Sequence, residues 1–131
     1  MPPLLKAVVA AENRTAELGV AGDWAHTVES LVVAARAIGI RSLYAASPAG
    51  ERLVGGMTLA DPEFAVWRIG EDVRVLLVDA FLAGSAGIDI AGARARASGA
   101  RQVEALVLGL SGPNAAAESE IPIHLLGETS L

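Results

Sequence analysis

The residues best placed to do chemistry sit in one stretch. Val75, Leu76, Leu77 and Val78 form an unbroken apolar run that ends in an acid, Asp79. The chain then passes through Ala80, Phe81, Leu82 and Ala83 into Gly84-Ser85-Ala86-Gly87. Such a run reads as a strand buried on both faces, as the strands of parallel sheets are. Ligands of parallel α/β sheets bind beyond the carboxyl ends of the strands. A turn of Gly, Ser and Ala lets backbone N–H groups come close to an anion, and a helix starting there adds the partial positive charge of its N-terminus. Gly84, Ser85, Ala86 and Gly87 are therefore candidates to hold a phosphate without a charged side chain. Each feature also has a plainer reading. Asp79 can cap the following turn, and the glycines can simply allow a close strand-to-helix connection.

Little else offers reactive chemistry. The absence of cysteine excludes disulfides, thiolate catalysis and cysteine metal sites. His26 and His124 are far apart and no third ligand accompanies them, so no metal is expected from them. His26 reads as a surface residue early in a helix. Glu71-Asp72 reads as a solvated turn, and the acids at 118–120 as a loop cluster. Trp24 and Trp67 read as core or interface anchors, with base stacking as the alternative.

The elements that must position these residues alternate between helix and strand. A helix is expected over residues 4–18, stopped by Gly19. Asp23 would cap a second helix, Trp24–Ile38, whose stripe of Val28, Leu31, Val32 and Ala35 ends at Gly39. Residues 42–46 read as a short strand, and Ser47-Pro48-Ala49-Gly50 as a turn. A weaker helix over 51–59 is interrupted by Gly55-Gly56. Strands follow at 64–69 and, after a turn, at 73–80, the strongest in the chain. A helix over 85–98 ends at Gly99, and residues 102–110 form another buried strand. Residues 111–120 read as a loop. Residues 121–126 read as an edge strand, because Pro122 suits no central position. The similar heptads Ala35-Arg36-Ala37-Ile38-Gly39-Ile40-Arg41 and Ala95-Arg96-Ala97-Ser98-Gly99-Ala100-Arg101 read as one helix-to-strand turn used twice, with glycine in a left-handed cap. The pattern implies one α/β domain over 1–131, with a mainly parallel sheet of four or five strands and helices on both faces.

The apolar run, the acid and the turn into a helix together resemble the phosphoribosyl-pyrophosphate motif of the type I phosphoribosyltransferases. In that motif four apolar residues precede two acids and a Thr- and Gly-rich turn. Asp79 matches the first acid, Ala80 stands in the place of the second, and Gly84, Ser85 and Gly87 fall where the family has Thr, Gly and Thr. The resemblance runs from Ser42 to Leu110. It implies that Asp79 contacts ribose, directly or through Mg, and that Ala83, Gly84, Ser85, Ala86 and Gly87 hold the 5′-phosphate. It also implies that Ala46, Ser47 and Gly50, with Arg52 as the nearest cation, hold a second phosphate. Arg52 alternatively reads as an exposed helix arginine. The family covers its site with a hood; here only residues 4–33 and a small flap over 111–131 are left to supply one, so the hood is expected to be small or absent. The missing second acid and missing threonines imply a domain that binds a phosphorylated ribose or a nucleotide with degenerate or lost transferase activity. Two alternatives stay open: an active transferase with an atypical motif, and an interaction or dimerisation subunit on a vestigial fold. A receiver-like domain would need an early acid pair and a late lysine, and the only lysine is Lys6. A flavodoxin-like domain would place its phosphate loop at 47–50.

Composition bounds these readings. The chain has 131 residues, 53% of them hydrophobic, and a net charge of −5. The basic residues are scattered, which argues against a nucleic-acid-binding face. Mean hydropathy is +0.47, yet no run approaches the ~18 apolar residues of a membrane span. Together with an N-terminus that does not read as a secretory signal, this gives the expectation of a cytoplasmic homodimer without a membrane partner and with no certain cofactor.

Overall fold

In a computed structural model of the chain, residues 24–68, 73–111 and 119–126 are described. The expected helix over 4–18, Asp23 and most of the 111–120 loop lie outside these residues. The elements in order are α1 (Trp24–Ile38), β1 (Ser42–Ala45), α2 (Pro48–Ala60), β2 (Ala65–Val66), β3 (Arg74–Leu82), α3 (Ala86–Ala97), β4 (Gln102–Leu110) and β5 (Ile123–Leu125). The five strands form one sheet in the order β2-β1-β3-β4-β5, and every pairing is parallel.

That order has a consequence for the site. From β1 the chain moves outward to β2, whereas from β3 it moves the opposite way to β4. Crossovers between parallel strands are right-handed. Opposite directions of travel therefore put α2 and α3 on opposite faces. The core shows this directly. Leu53, Val54 and Met57 of α2 join Val28, Leu31 and Val32 of α1 against Leu43, Leu76 and Val78. Ile88, Ala91 and Ala95 of α3 pack on Val75, Leu77, Val103, Ala105 and Val107. The neighbours along β3 thus serve different faces, which is why the strand reads as uninterrupted apolar sequence. Side chains such as Leu31, Leu53, Leu76 and Leu77 are fully buried, each contributing about 1.5–3 kcal/mol.

Both repeated heptads end as expected. Gly39 and Gly99 have φ of 85° and 109°, the left-handed conformation that glycine adopts without steric cost. Other expectations are corrected. Ser47-Pro48-Ala49-Gly50 is not a free turn but the cap and first turn of α2, with Pro48 at its start, a position where proline loses no hydrogen bond. Gly55-Gly56 does not break α2. A Cβ on Gly56 would lie 2.8 Å from Val28 Cγ2, so the glycine lets α1 and α2 approach. Of the strand expected at 64–69, the described residues hold only Ala65–Val66. β3 continues past Asp79 to Leu82, because it keeps its pairing with β4 as far as Leu82 and Leu110. β5 is an edge strand, and the Pro122 carbonyl still accepts from the Ala105 N–H at 2.9 Å.

Candidate functional site

The point where the strand order reverses lies between β1 and β3, and in open parallel sheets this is where ligands bind. The two segments singled out in the sequence leave the sheet here, one after β1 and one after β3. The Ala46 N–H donates to the Val78 carbonyl at 3.0 Å. That bond extends the β1–β3 pairing by one step and brings Ser47 against Asp79.

The Ser47 hydroxyl donates to Asp79 Oδ1 at 2.5 Å and accepts from the Gly50 N–H at 3.0 Å. Asp79 Oδ1 also accepts from the Ala80 N–H at 2.8 Å. The half-buried carboxylate is therefore fixed through one oxygen, while no donor among the described residues reaches Oδ2. The plainer reading of Asp79 is thus partly met, since it does accept from a neighbouring backbone amide. It also leaves one oxygen free beside the switch point.

Gly50 and Gly87 differ sharply. A Cβ on Gly50 would sit 2.3 Å from the Val78 carbonyl oxygen, so α2 starts directly on the backbone of β3. This close approach, rather than a phosphate, accounts for Gly50. Pro48 has no N–H, and the N–H groups of Gly50 and Glu51 are taken by Ser47. Only the Ala49 N–H remains at the start of α2 for an anion. Arg52 is exposed on α2.

The turn after β3 is open by contrast. Ser85 precedes α3 with φ −86° and ψ −6° and makes no capping bond. A capping serine normally has an extended backbone, as Ser47 does. The N–H groups of Ala86, Gly87 and Ile88 belong to the first turn, where a helix supplies no internal partner. Gly87 is exposed, and a Cβ there would meet nothing within 4 Å. Asp89 accepts from the Ser119 hydroxyl at 2.8 Å, and that hydroxyl also accepts from the Ile121 N–H at 3.2 Å. The chain entering β5 is thereby tied to the first turn of α3. Ser111, at the exit from β4, is tied to the end of β3 by an N–H bond to the Leu82 carbonyl at 2.7 Å. Sequence reading passed over Ser111 and Ser119, for which no local pattern gives a signal.

Ala80 occupies the place of the second acid. Its side chain is 2% exposed and belongs to the core under α1 and α2. Trp67 is buried and meets Tyr44 edge-on with ring centroids 5.7 Å apart, the anchoring role expected of it. Trp24 packs against the α1–α2 core, and His26 is exposed.

Two carboxylates away from these turns are held below their ordinary range. The Glu63 N–H is the main cause for Asp61, which burial opposes and Arg36 reinforces by hydrogen bond and charge. Burial alone would raise Glu104, but hydrogen bonds from His124 and Gln102, with the charges of His124 and Arg74, outweigh it. No group of three or more His, Asp or Glu able to hold a metal ion is present among the described residues. Among these residues, too, no helix is long and apolar enough to cross a membrane.

The class that the fold and site define is an open, all-parallel α/β sheet whose candidate site lies at a switch point. A scan against protein-family models, a search of curated proteins and a search of solved structures each gave no match to the chain.

Proposed function

We propose that this chain is a phosphoribosyltransferase-like domain that binds a phosphorylated ribose or a nucleotide and has lost transferase chemistry. The observation that carries the reading is that Asp79 and the turn into α3 both lie toward the carboxyl end of β3. Asp79 offers one free carboxylate oxygen, and the turn offers unpartnered N–H groups and the Ser85 hydroxyl. An acceptor suits sugar hydroxyls, and a set of neutral donors at a helix start suits a phosphate. The strand order also fits a flavodoxin-like sheet, but such a domain would use the turn after β1, where Ser47 already takes two of the N–H groups.

Loss of chemistry is supported by Ala80. A carboxylate at that position would be buried in the apolar core without a counter-charge, at high cost. Asp79 alone makes a weak Mg site, because Mg usually needs more oxygen ligands or a bound phosphate to complete its shell.

The test is a thermal-unfolding and calorimetry panel with phosphoribosyl pyrophosphate, pyrophosphate and nucleoside monophosphates, with and without Mg. A ligand at a hundredfold excess over its Kd stabilises the native state by about 2.7 kcal/mol. The shift is expected to vanish in Asp79→Ala and in Ser85→Trp. Turnover of phosphoribosyl pyrophosphate with any base would refute lost chemistry while leaving ligand binding intact.

A second reading, a homodimerising interaction subunit, is favoured by exposed apolar side chains. Leu59 is 88% exposed, Val66 on the edge strand 58% and Ile90 55%. A dimer in solution whose stability responds to none of these compounds would select it.

A further inference from the structure

The sheet has an open edge. β2 pairs with β1 on one side, and no strand among the described residues pairs with its other side. The Ala65 and Trp67 N–H groups donate to the Arg41 and Leu43 carbonyls. The Val66 N–H and carbonyl between them therefore point the opposite way, away from β1 in the plane of the sheet. Ala65 and Val66 are both exposed, Val66 to 58%. An uncovered edge of this kind is a template for a further strand. We propose that the β2 edge is an interface between two copies of this chain, which pair β2 antiparallel about a two-fold axis at Val66 and continue one sheet into the other.

Charge identifies the occupant. A two-fold contact is self-complementary, each residue meeting its counterpart in reverse order. Pairing centred on Val66 places Arg68 of one copy opposite Phe64 of the other and next to its Glu63. Glu63 precedes β2 and Arg68 follows it, and both are exposed. Antiparallel pairing thus brings cation to acid twice. α2 fits the same arrangement. It flanks β2 and lies on the face that Val66 shares, since Val66 is in register with Leu43 of the core under α2. Joined along β2, the two copies set their α2 helices side by side on that face. Gly56 makes room for Val28 of α1, but a Cβ on Gly55 would meet nothing within 4 Å. A glycine inside a helix weakens it, and the bare surface at Gly55 suits the approach of a second helix. The proposed surface gives the homodimer reading, on which it rests, a location, and it needs no ligand.

The experiment measures mass by sedimentation equilibrium for the full chain, for Val66→Lys and Val66→Glu, and for an equal mixture of the two variants. Val66 is exposed, so neither charge should disturb the fold. The parent is expected to be a dimer. Each variant alone sets two like charges against each other across the axis and should self-associate about tenfold more weakly. The mixture sets opposite charges there and should dimerise about as well as the parent. Parent-like dimers of each variant alone would overturn the proposal and leave homodimerisation to another surface, such as Leu59 or Ile90. A mixture as weak as its components would also overturn it, by showing that the two Val66 positions do not face each other. In the parent, hydrogen exchange at the Val66 N–H should slow as concentration rises through dimerisation, and a rate that ignores concentration would count against the strand pairing. A parent that stays monomeric would overturn both this proposal and the homodimer reading beneath it.

Discussion

At the turn after β1, Ser47 has an extended backbone, caps α2 and grips Asp79 with the same hydroxyl. At the turn after β3, Ser85 has a helical backbone and its hydroxyl caps nothing. The glycines follow the same division. Gly50 is pressed against the Val78 carbonyl, while Gly87 faces open space. The same residue types thus build two different things. The first turn spends its hydrogen bonds on fixing geometry, and the second keeps them unspent. The turn after β1 thus serves as the mount for Asp79, and under the proposed function the turn after β3 would be the receiving surface.

The hardest test of this contrast is Gly50→Ala. A Cβ at 2.3 Å from a backbone oxygen cannot be accommodated by a side-chain rotation, so α2 must shift from β3. Overpacking of this kind costs ~3 kcal/mol, read as a lower denaturant midpoint at constant slope. A cost below about 1 kcal/mol, the centre of ordinary mutational effects, would show that the turn after β1 is as loose as the other.

Next in size is the Ser47–Asp79 link. Ser47→Ala removes a cap and a bond to a carboxylate, for a loss of about 1–2 kcal/mol. Asp79→Ala should cost a similar amount, and the two losses should not add. A double-mutant cycle is expected to return a coupling of about 1 kcal/mol, within the range for residues in direct contact. Additive losses would mean that the hydroxyl caps α2 without holding the acid.

Much of this architecture can be read from the chain, and the unread part has a physical reason. β4 spans Gln102–Leu110 as expected, and Gly39 and Gly99 take the left-handed caps that the repeated heptads suggested. Those features rest on local pattern. The Ser47-Pro48 pair carries a helix-start signal, a capping residue before a proline, but Gly50 nearby reads as a turn residue. Its true reason is a strand far along the sequence. The strand reads as ending at 80, just past the acid that closes the apolar run at 75–78, whereas β3 runs on to Leu82 because β4 continues beside it. The free oxygen of Asp79 and the uncommitted Ser85 are properties of neighbours in space and leave no mark on spacing.

Two carboxyls outside both turns make the stability of the fold depend on pH. Asp61 accepts from the Glu63 N–H and joins the end of α2 to Arg36 of α1, while Glu104 joins β4 to His124 of β5. Both carboxyls are held below their ordinary values in the folded chain. Their contribution to stability is therefore fully present above the unfolded-chain values, roughly 3.9 for Asp and 4.3 for Glu. It is lost as pH falls through the lower folded values. Urea midpoints measured from pH 6 downward should decline through that window, and Asp61→Asn should flatten the decline. An unchanged pH profile in Asp61→Asn would remove this carboxyl from the account.

The smallest expected effect on stability carries the most information about function. Ser85→Ala deletes a hydroxyl that makes no capping bond to α3, so its stability should stay within about 0.5 kcal/mol of the parent, as for other surface changes. The same deletion at Ser47 is costly for the reasons above, and that asymmetry is the contrast between the two turns in its simplest form. If the turn after β3 receives a phosphate, Ser85→Ala should still weaken phosphate binding about tenfold, the effect of one hydrogen bond to a charged group. A stability loss equal to that of Ser47→Ala would mean that Ser85 caps α3 in solution. The donors assigned to a ligand would then be spent on the helix itself.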